Sequence, residues 1–375
     1  MIFKKFLKYI MIFLKAKYTF AKIKETEIVI YDKTGSEIFS ELLYNKEYFI
    51  LHTRFEKINI QILIKSLIKY RFKWRPINYI ELFLYYLKPK HVITFIDNDI
   101  KFWKLKNKLN NIQTYFIQNG YRDSFGDIFR ESKNTSKKFK VDKMFVFNNQ
   151  IAFEYKKYIQ GETVVIGSFL NNKYKRVKKI DKNILYISSW DDNYDNFKSS
   201  EECLLFHKIN LLAFKLTCKF AEKHKLKLKV LGRKLKNHNE EQFYKNINKN
   251  FIFIKRNSDK KYSYRAIDES KLTIGIDSTL AYESLSRGNK TFLISCRNEF
   301  IGGESYKFGW PKEYEDHGVF WSNKYREEII FKNLEILLKL DKTSFHNELK
   351  FFKNECIYFN NGNTIIKNFF KNNFK

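Results

Sequence analysis

The chain has 375 residues, 44% hydrophobic and 18% aromatic, with 71 Lys and Arg against 41 Asp and Glu for a formal charge of +30. That length exceeds one ordinary α/β domain and suits two, and the apolar content excludes a disordered chain. The basic residues are scattered through nearly every segment, which disfavours a nucleic-acid groove and leaves a lysine-rich surface suited to anionic substrates and lipid headgroups.

In chain order, residues 1–24 open with MIFKKFLKYIMIFLK, where Phe3, Phe6, Leu7, Ile10 and Leu14 share one helix face and Lys4, Lys8 and Lys15 the other. Lysines interrupt the run, no small-residue cleavage site follows, and Tyr9 to Leu14 is too short to span a bilayer. Such a helix lies either in a membrane interface or on the protein's own surface. From Glu25 short β-rich runs alternate with helical stretches, with strands expected at Glu27–Tyr31, Tyr48–His52, His91–Ile96, Gln113–Gln118, Lys143–Phe147 and Thr163–Ile166. Helices at Ile60–Tyr70 and Asn78–Leu87 are the most apolar, and the whole of 25–170 reads as one Rossmann-like domain.

Residues 171–182 are lysine-rich without an apolar period and are expected to form a linker. The alternation then restarts over 183–375. Strands are expected at Asn183–Ser188, Lys227–Leu231, Phe251–Lys255, Leu272–Ile276, Thr291–Ser295 and Gly318–Trp321, with a long helix at Glu201–Lys225 and C-terminal helices at Glu327–Leu340 and Phe345–Cys356. The expected fold class is α/β, with two Rossmann-like, doubly wound parallel-sheet domains facing across a cleft. Cys203, Cys218, Cys296 and Cys356 form no CxxC pair, so no metal site is expected and reduced thiols in a cytoplasmic protein fit them.

Ligands of open parallel sheets bind just past the carboxyl ends of the strands. In the first half those ends carry Asp97-Asn98-Asp99, Gln118-Asn119-Gly120-Tyr121-Arg122 and Gly167-Ser168, a polar concentration expected to line an acceptor cleft. Asp32-Lys33-Thr34-Gly35 is not a dinucleotide fingerprint and reads as an ordinary turn. In the second half Ser188 ends one strand, Gly232-Arg233 ends another and offers a charged fork to a diphosphate, and Asp277-Ser278-Thr279 ends a third. Ser278 or Thr279 would cap the next helix, whose start is a ready anion site, and Glu283 stands one turn on, above Thr279.

The segment DSTLAYESLSRGNKTFLIS resembles the donor-site strand and helix of GT-B glycosyltransferases. Together with VITFIDND, FIQNGYRD, VVIGSFLNN and LYISSW it is similar to bacterial O-antigen and surface-carbohydrate biosynthesis proteins. The resemblance implies that Glu283 contacts the donor ribose and that Ser278 and Thr279 meet the diphosphate. The expected activity is transfer of a sugar from a nucleotide sugar to a glycan or lipid-linked acceptor, with Asp97 the first candidate base and Asp99 the second. No cofactor beyond the donor is expected, and a peripheral place on the inner face of the cell membrane fits the positive charge. Polyol-phosphate transfer, sugar-nucleotide epimerisation and non-catalytic binding by a basic protein are the alternatives.

Overall fold

The computed structural model describes residues 11–122, 139–177, 181–191, 201–235, 238–356 and 358–374. Residues 1–10 of the N-terminal helix expected over 1–24, and residues 178–180 of the expected linker, lie outside this range; residues 11–15 are helical, but Lys17–Thr19 is a strand, so the helix does not extend to residue 24.

Among the described residues, two six-stranded sheets organise the fold. The first comprises β2 (Ile28–Tyr31), β3 (Phe49–Leu51), β5 (His91–Thr94), β6 (Gln113–Ile117), β7 (Phe139–Val146) and β8 (Ile159–Val165), in the order β3-β2-β5-β6-β7-β8. The second comprises β9 (Asp181–Ile187), β10 (Lys227–Leu231), β11 (Ile252–Ile254), β12 (Ser270–Gly275), β13 (Thr291–Ile294) and β14 (Trp321–Ser322), in the order β11-β10-β9-β12-β13-β14. Every pairing within both is parallel. β1 (Lys17–Thr19) and β4 (Lys57–Asn59) form a separate two-stranded parallel pair that the sequence pattern does not announce.

Alternation along the strands explains the layering. Val29, Tyr31, Val92, Phe116, Met144 and Val146 enter one core, while Ile28, Ile30, Ile93, Tyr115, Ile117 and Phe145 enter another on the opposite face. That second core is closed by Ile366, Phe370 and Phe374, on and just past the helix Thr364–Asn373. The C-terminal helices were expected to belong to the second domain, and this last one instead crosses back to the first. Gly167 permits the return: its φ is +73°, and a Cβ there would meet the Tyr358 carbonyl oxygen at 1.8 Å.

The expected linker is not loose at its start. Ser168 caps the short helix Phe169–Lys173, whose Asn171 and Asn172 are fully buried. Asn171 Nδ2 donates to Ser286 Oγ at 2.8 Å, and Arg287 Nη1 donates to the carbonyls of Asn171 and Tyr174 at 3.0 and 2.9 Å. Arg287 also forms a fully buried ion pair with Asp268, which accepts the Val177 N–H at 3.0 Å. Among the described residues no helix is long and apolar enough to cross a membrane.

Candidate functional site

In each sheet the strand order reverses beside the first strand of the unit, and such a switch point leaves a crevice past the strand ends. In the second sheet the reversal falls between β9 and β12. A cavity of about 400 Å³ opens there, lined by Ser188 and Ser189 after β9, Gly232 and Arg233 after β10, and Asp277, Ser278 and Thr279 after β12. Arg256, Lys260, Tyr264, Glu283 and Arg297 complete the second-domain wall, and Asn119 and Leu170 face them from the first domain. A more apolar cavity of about 340 Å³ runs along edge strand β3 and is lined only by residues of the first 87.

The second-domain wall is held by two buried carboxylates that strand-end reasoning passed over or misread. Glu240 accepts the Ser188 hydroxyl at 2.5 Å and the N–H groups of Arg233 and Lys234 at 2.7 and 3.2 Å, so it shapes the turn that presents Arg233. Gly232 has no room for a side chain, because a Cβ would meet the Phe253 ring at 2.8 Å. Arg233 itself remains half-exposed, with Nη1 at 3.1 Å from Asp191. Asp277 pairs with Arg297.

The second carboxylate is Glu283, expected to be open to a ribose and found 5% exposed. Ser168 Oγ donates to its Oε1 and Tyr264 OH to its Oε2 at 2.9 Å. Burial pushes its pKa up to about 7, against the opposing pull of the Ser168 and Tyr264 hydroxyls and the Arg287 charge. Ser168, expected to line an acceptor cleft, is thus spent on a contact across the domains.

Ser278 is the cap of the helix Thr279–Ser286, its Oγ accepting the Leu280 N–H at 3.3 Å. The Ser278 carbonyl accepts the Ala281 N–H at 2.9 Å. The helix start therefore offers its dipole more than a row of open donors. Thr279 Oγ1 accepts the Tyr121 N–H at 2.9 Å, and the Tyr121 ring stacks on Tyr282 at 4.0 Å with 1° between planes. Tyr282, Phe308 and Trp321 continue the stack into the second domain at 5.7 and 4.5 Å.

The first-domain residues gather at one sheet edge, but few of them reach the cavity. Asp97 is fully buried: its carboxylate accepts Arg122 Nε at 2.7 Å, the Asn119 N–H at 3.1 Å, and the Tyr155 hydroxyl. The carboxylate expected to serve as first candidate base is therefore enclosed and fully hydrogen-bonded within the first domain rather than turned toward the cavity. Asp99 caps the helix Ile100–Trp103 through the Lys101 N–H at 2.8 Å, with its pKa raised by burial. Neither carboxylate lines the cavity.

Gln118 is also buried and structural, donating to the Gly120 carbonyl and accepting the Phe147 N–H, both at 2.9 Å. Arg122 is committed to Asp97, Asn98 lies at the surface outside the cavity, and Gly167 is covered by Tyr358. Gly120 packs on Thr279, 3.6 Å from the position a Cβ would take to its Oγ1. Asn119 alone of this group lines the cavity. Asp32 closes its turn as expected, accepting the Thr34 N–H at 2.7 Å and the Thr53 hydroxyl at 2.6 Å.

Arg256 could have been found from sequence, since it stands two residues past β11 and obeys the same strand-end rule. Lys260 and Tyr264 arrive with the helix Lys261–Glu269 and carry no such signal. Among the described residues no cluster of His, Cys, Asp and Glu could hold a metal ion, and Cys218, Cys296 and Cys356 are buried free thiols.

Solved structures share this architecture. The wall teichoic acid polymerase TagF superposes with a TM-score of 0.51 at 12% identity, covering 94% of this chain and 91% of its own. A "putative UDP-N-acetylglucosamine 2-epimerase" from Listeria monocytogenes superposes with a TM-score of 0.53 at 12% identity, covering 92% of this chain and 94% of its own. These likenesses establish the two-domain GT-B fold. No curated protein sequence matches the chain. A family model described as "putative O-antigen biosynthesis protein" matches residues 115–374, a span that takes in the second sheet, the cavity and the returning C-terminal helix. The chain therefore belongs to this O-antigen biosynthesis protein family and carries its signature on a GT-B fold.

Proposed function

We propose that the protein is a glycosyltransferase of surface-polysaccharide assembly, moving a sugar from a nucleotide diphosphate donor on the second domain to an acceptor presented by the first. The observation that carries this reading is the charge of the switch-point cavity. Arg233, Arg256 and Lys260 line it, whereas its two carboxylates are already engaged, Asp277 by Arg297 and Glu283 by the Ser168 and Tyr264 hydroxyls. An anionic diphosphate is the ligand that such a wall selects.

Charge that develops on the departing nucleotide would be met by fixed guanidinium groups and by the dipole of the helix at Thr279, without reorganisation during the reaction. Ser188 and Ser189 hold the neighbouring strand end, and Glu283 stands within the same cavity as the ribose contact that the family likeness implies. Its buried environment means that a sugar hydroxyl must share it with Ser168 and Tyr264 rather than take it alone. Asn119 is the polar first-domain residue that faces the donor wall, beside the apolar Leu170.

Titration calorimetry with uridine, cytidine and guanosine diphosphates and their sugar conjugates tests the site. Arg233→Gln and Arg256→Gln should each weaken the cognate nucleotide by about 1.5–3 kcal/mol, the range for hydrogen bonds to charged groups. No binding by the unaltered protein to any member of the panel, or equal affinity in both variants, would sink the donor assignment. Product analysis with the cognate donor then separates sugar transfer from epimerisation and polyol-phosphate transfer.

A further inference from the structure

We infer that the helix Ile60–Tyr70 and the turn Arg71–Lys73 form a docking surface for an anionic lipid bilayer. This goes beyond the donor-site reading and does not depend on it. The helix sequence IQILIKSLIKY is apolar around much of its circumference, yet only Ile62 and Ser66 are buried. Ile64, Leu67 and Ile68 recur at three- and four-residue spacing on the outer side and are 51%, 44% and 67% exposed. At the end of the helix the Arg71 backbone turns through a positive φ of 43°, and the next side chain, Phe72, stands wholly in solvent.

A water-facing helix has no use for two isoleucines and a leucine on its outer face, so this face is built to be covered. The charges select what covers it. Between residues 57 and 80 every charged side chain is basic: Lys57, Lys65, Lys69, Arg71, Lys73 and Arg75. Of the flanking acids, Glu81 is engaged by Lys108 at 2.7 Å, and Glu56 stands before the run, outside the stretch that carries the apolar stripe. Lys65 and Lys69 lie against the rings of Tyr86 and Tyr85 at 4.3 and 5.8 Å, which sets them beside the apolar stripe rather than across it.

Aliphatic and aromatic side chains flanked by cations suit the boundary between headgroups and acyl chains, where the ring and the methyl groups enter and the amines stay with the phosphates. A second copy of the chain would bring the same positive charges into opposition, so charge favours the bilayer over self-association. The surface belongs to the first domain, and none of its residues lines the switch-point cavity.

The test is co-sedimentation of the full chain with vesicles of phosphatidylcholine alone and of equal parts phosphatidylcholine and phosphatidylglycerol. The unaltered protein should partition onto the mixed vesicles. Lys65→Gln/Lys69→Gln/Arg71→Gln should reduce that partition on the order of 100-fold, and Ile68→Ser/Phe72→Ser by about tenfold or more. All five side chains are solvent-exposed, so the melting temperature and nucleotide affinity should hold, which separates this result from any failure of the donor site. Phe351→Ser, at an exposed position on the second domain, should bind vesicles like the unaltered protein. Equal partition by all variants, an equal loss with Phe351→Ser, or a vesicle-blind protein whose dimerisation is broken by Ile68→Ser/Phe72→Ser would each overturn the inference.

Discussion

Glu283 is a carboxyl group enclosed between the domains, and its protonation should leave a mark on stability. Its ordinary pKa is 4.5 and its folded value is about 7. Between those limits the folded protein keeps a proton that the unfolded chain has lost, so stability falls as pH rises from about 4.5 to about 7, by roughly 1 kcal/mol per unit. Above that range the group adds no further slope. Glu283→Gln keeps a hydrogen-bonding amide and cannot ionise, so its urea-unfolding profile should be flatter across this window. Parallel profiles for the two proteins would show that Glu283 does not carry the dependence. Glu283→Ala is the poorer probe of nucleotide binding, because it strands the Ser168 and Tyr264 hydroxyls at a cost of about 1–3 kcal/mol.

At the scale of elements, buried ion pairs do the joining. Asp97 draws together the end of β5, the turn after β6 through Asn119 and Arg122, and the helix Asn149–Lys156 through Tyr155. Arg287 and Asp268 likewise lock the segment Asn171–Val177 to the helices Lys261–Glu269 and Thr279–Ser286. Removing one partner leaves the other charge buried alone, so Arg287→Leu should cost about 3–5 kcal/mol in chemical denaturation, and Asp97→Ala a similar amount. A loss under about 1 kcal/mol for Arg287→Leu would mean that the joint relaxes and rehydrates. The strands and helices themselves were largely legible. Ile60–Tyr70 and Lys227–Leu231 fall where the apolar period puts them, because that period is a local property of the chain. The β1 and β4 pair was not legible, since three-residue strands carry too little period to show.

For the whole molecule, the contact of Tyr121 with Thr279 and Tyr282 bridges the first and second domains. Tyr121→Ala should loosen that bridge, raising the radius of gyration in small-angle scattering while leaving nucleotide affinity at the second domain within a few-fold. An unchanged radius would mean that the Asn171–Arg287 joint alone sets the spacing. The sequence by itself determined the two parallel sheets, the strand-end placement of Arg233, Ser278 and Thr279, and the family resemblance, because strand period, caps and turns depend on neighbours in the chain. Tertiary structure alone decided that Asp97 is consumed by Arg122 and Tyr155, that Glu283 is roofed by Ser168, and that the helix Thr364–Asn373 returns to the first sheet. Those outcomes rest on partners up to hundreds of residues away in the chain, and whether a carboxylate faces water or a hydroxyl is settled only when such partners meet.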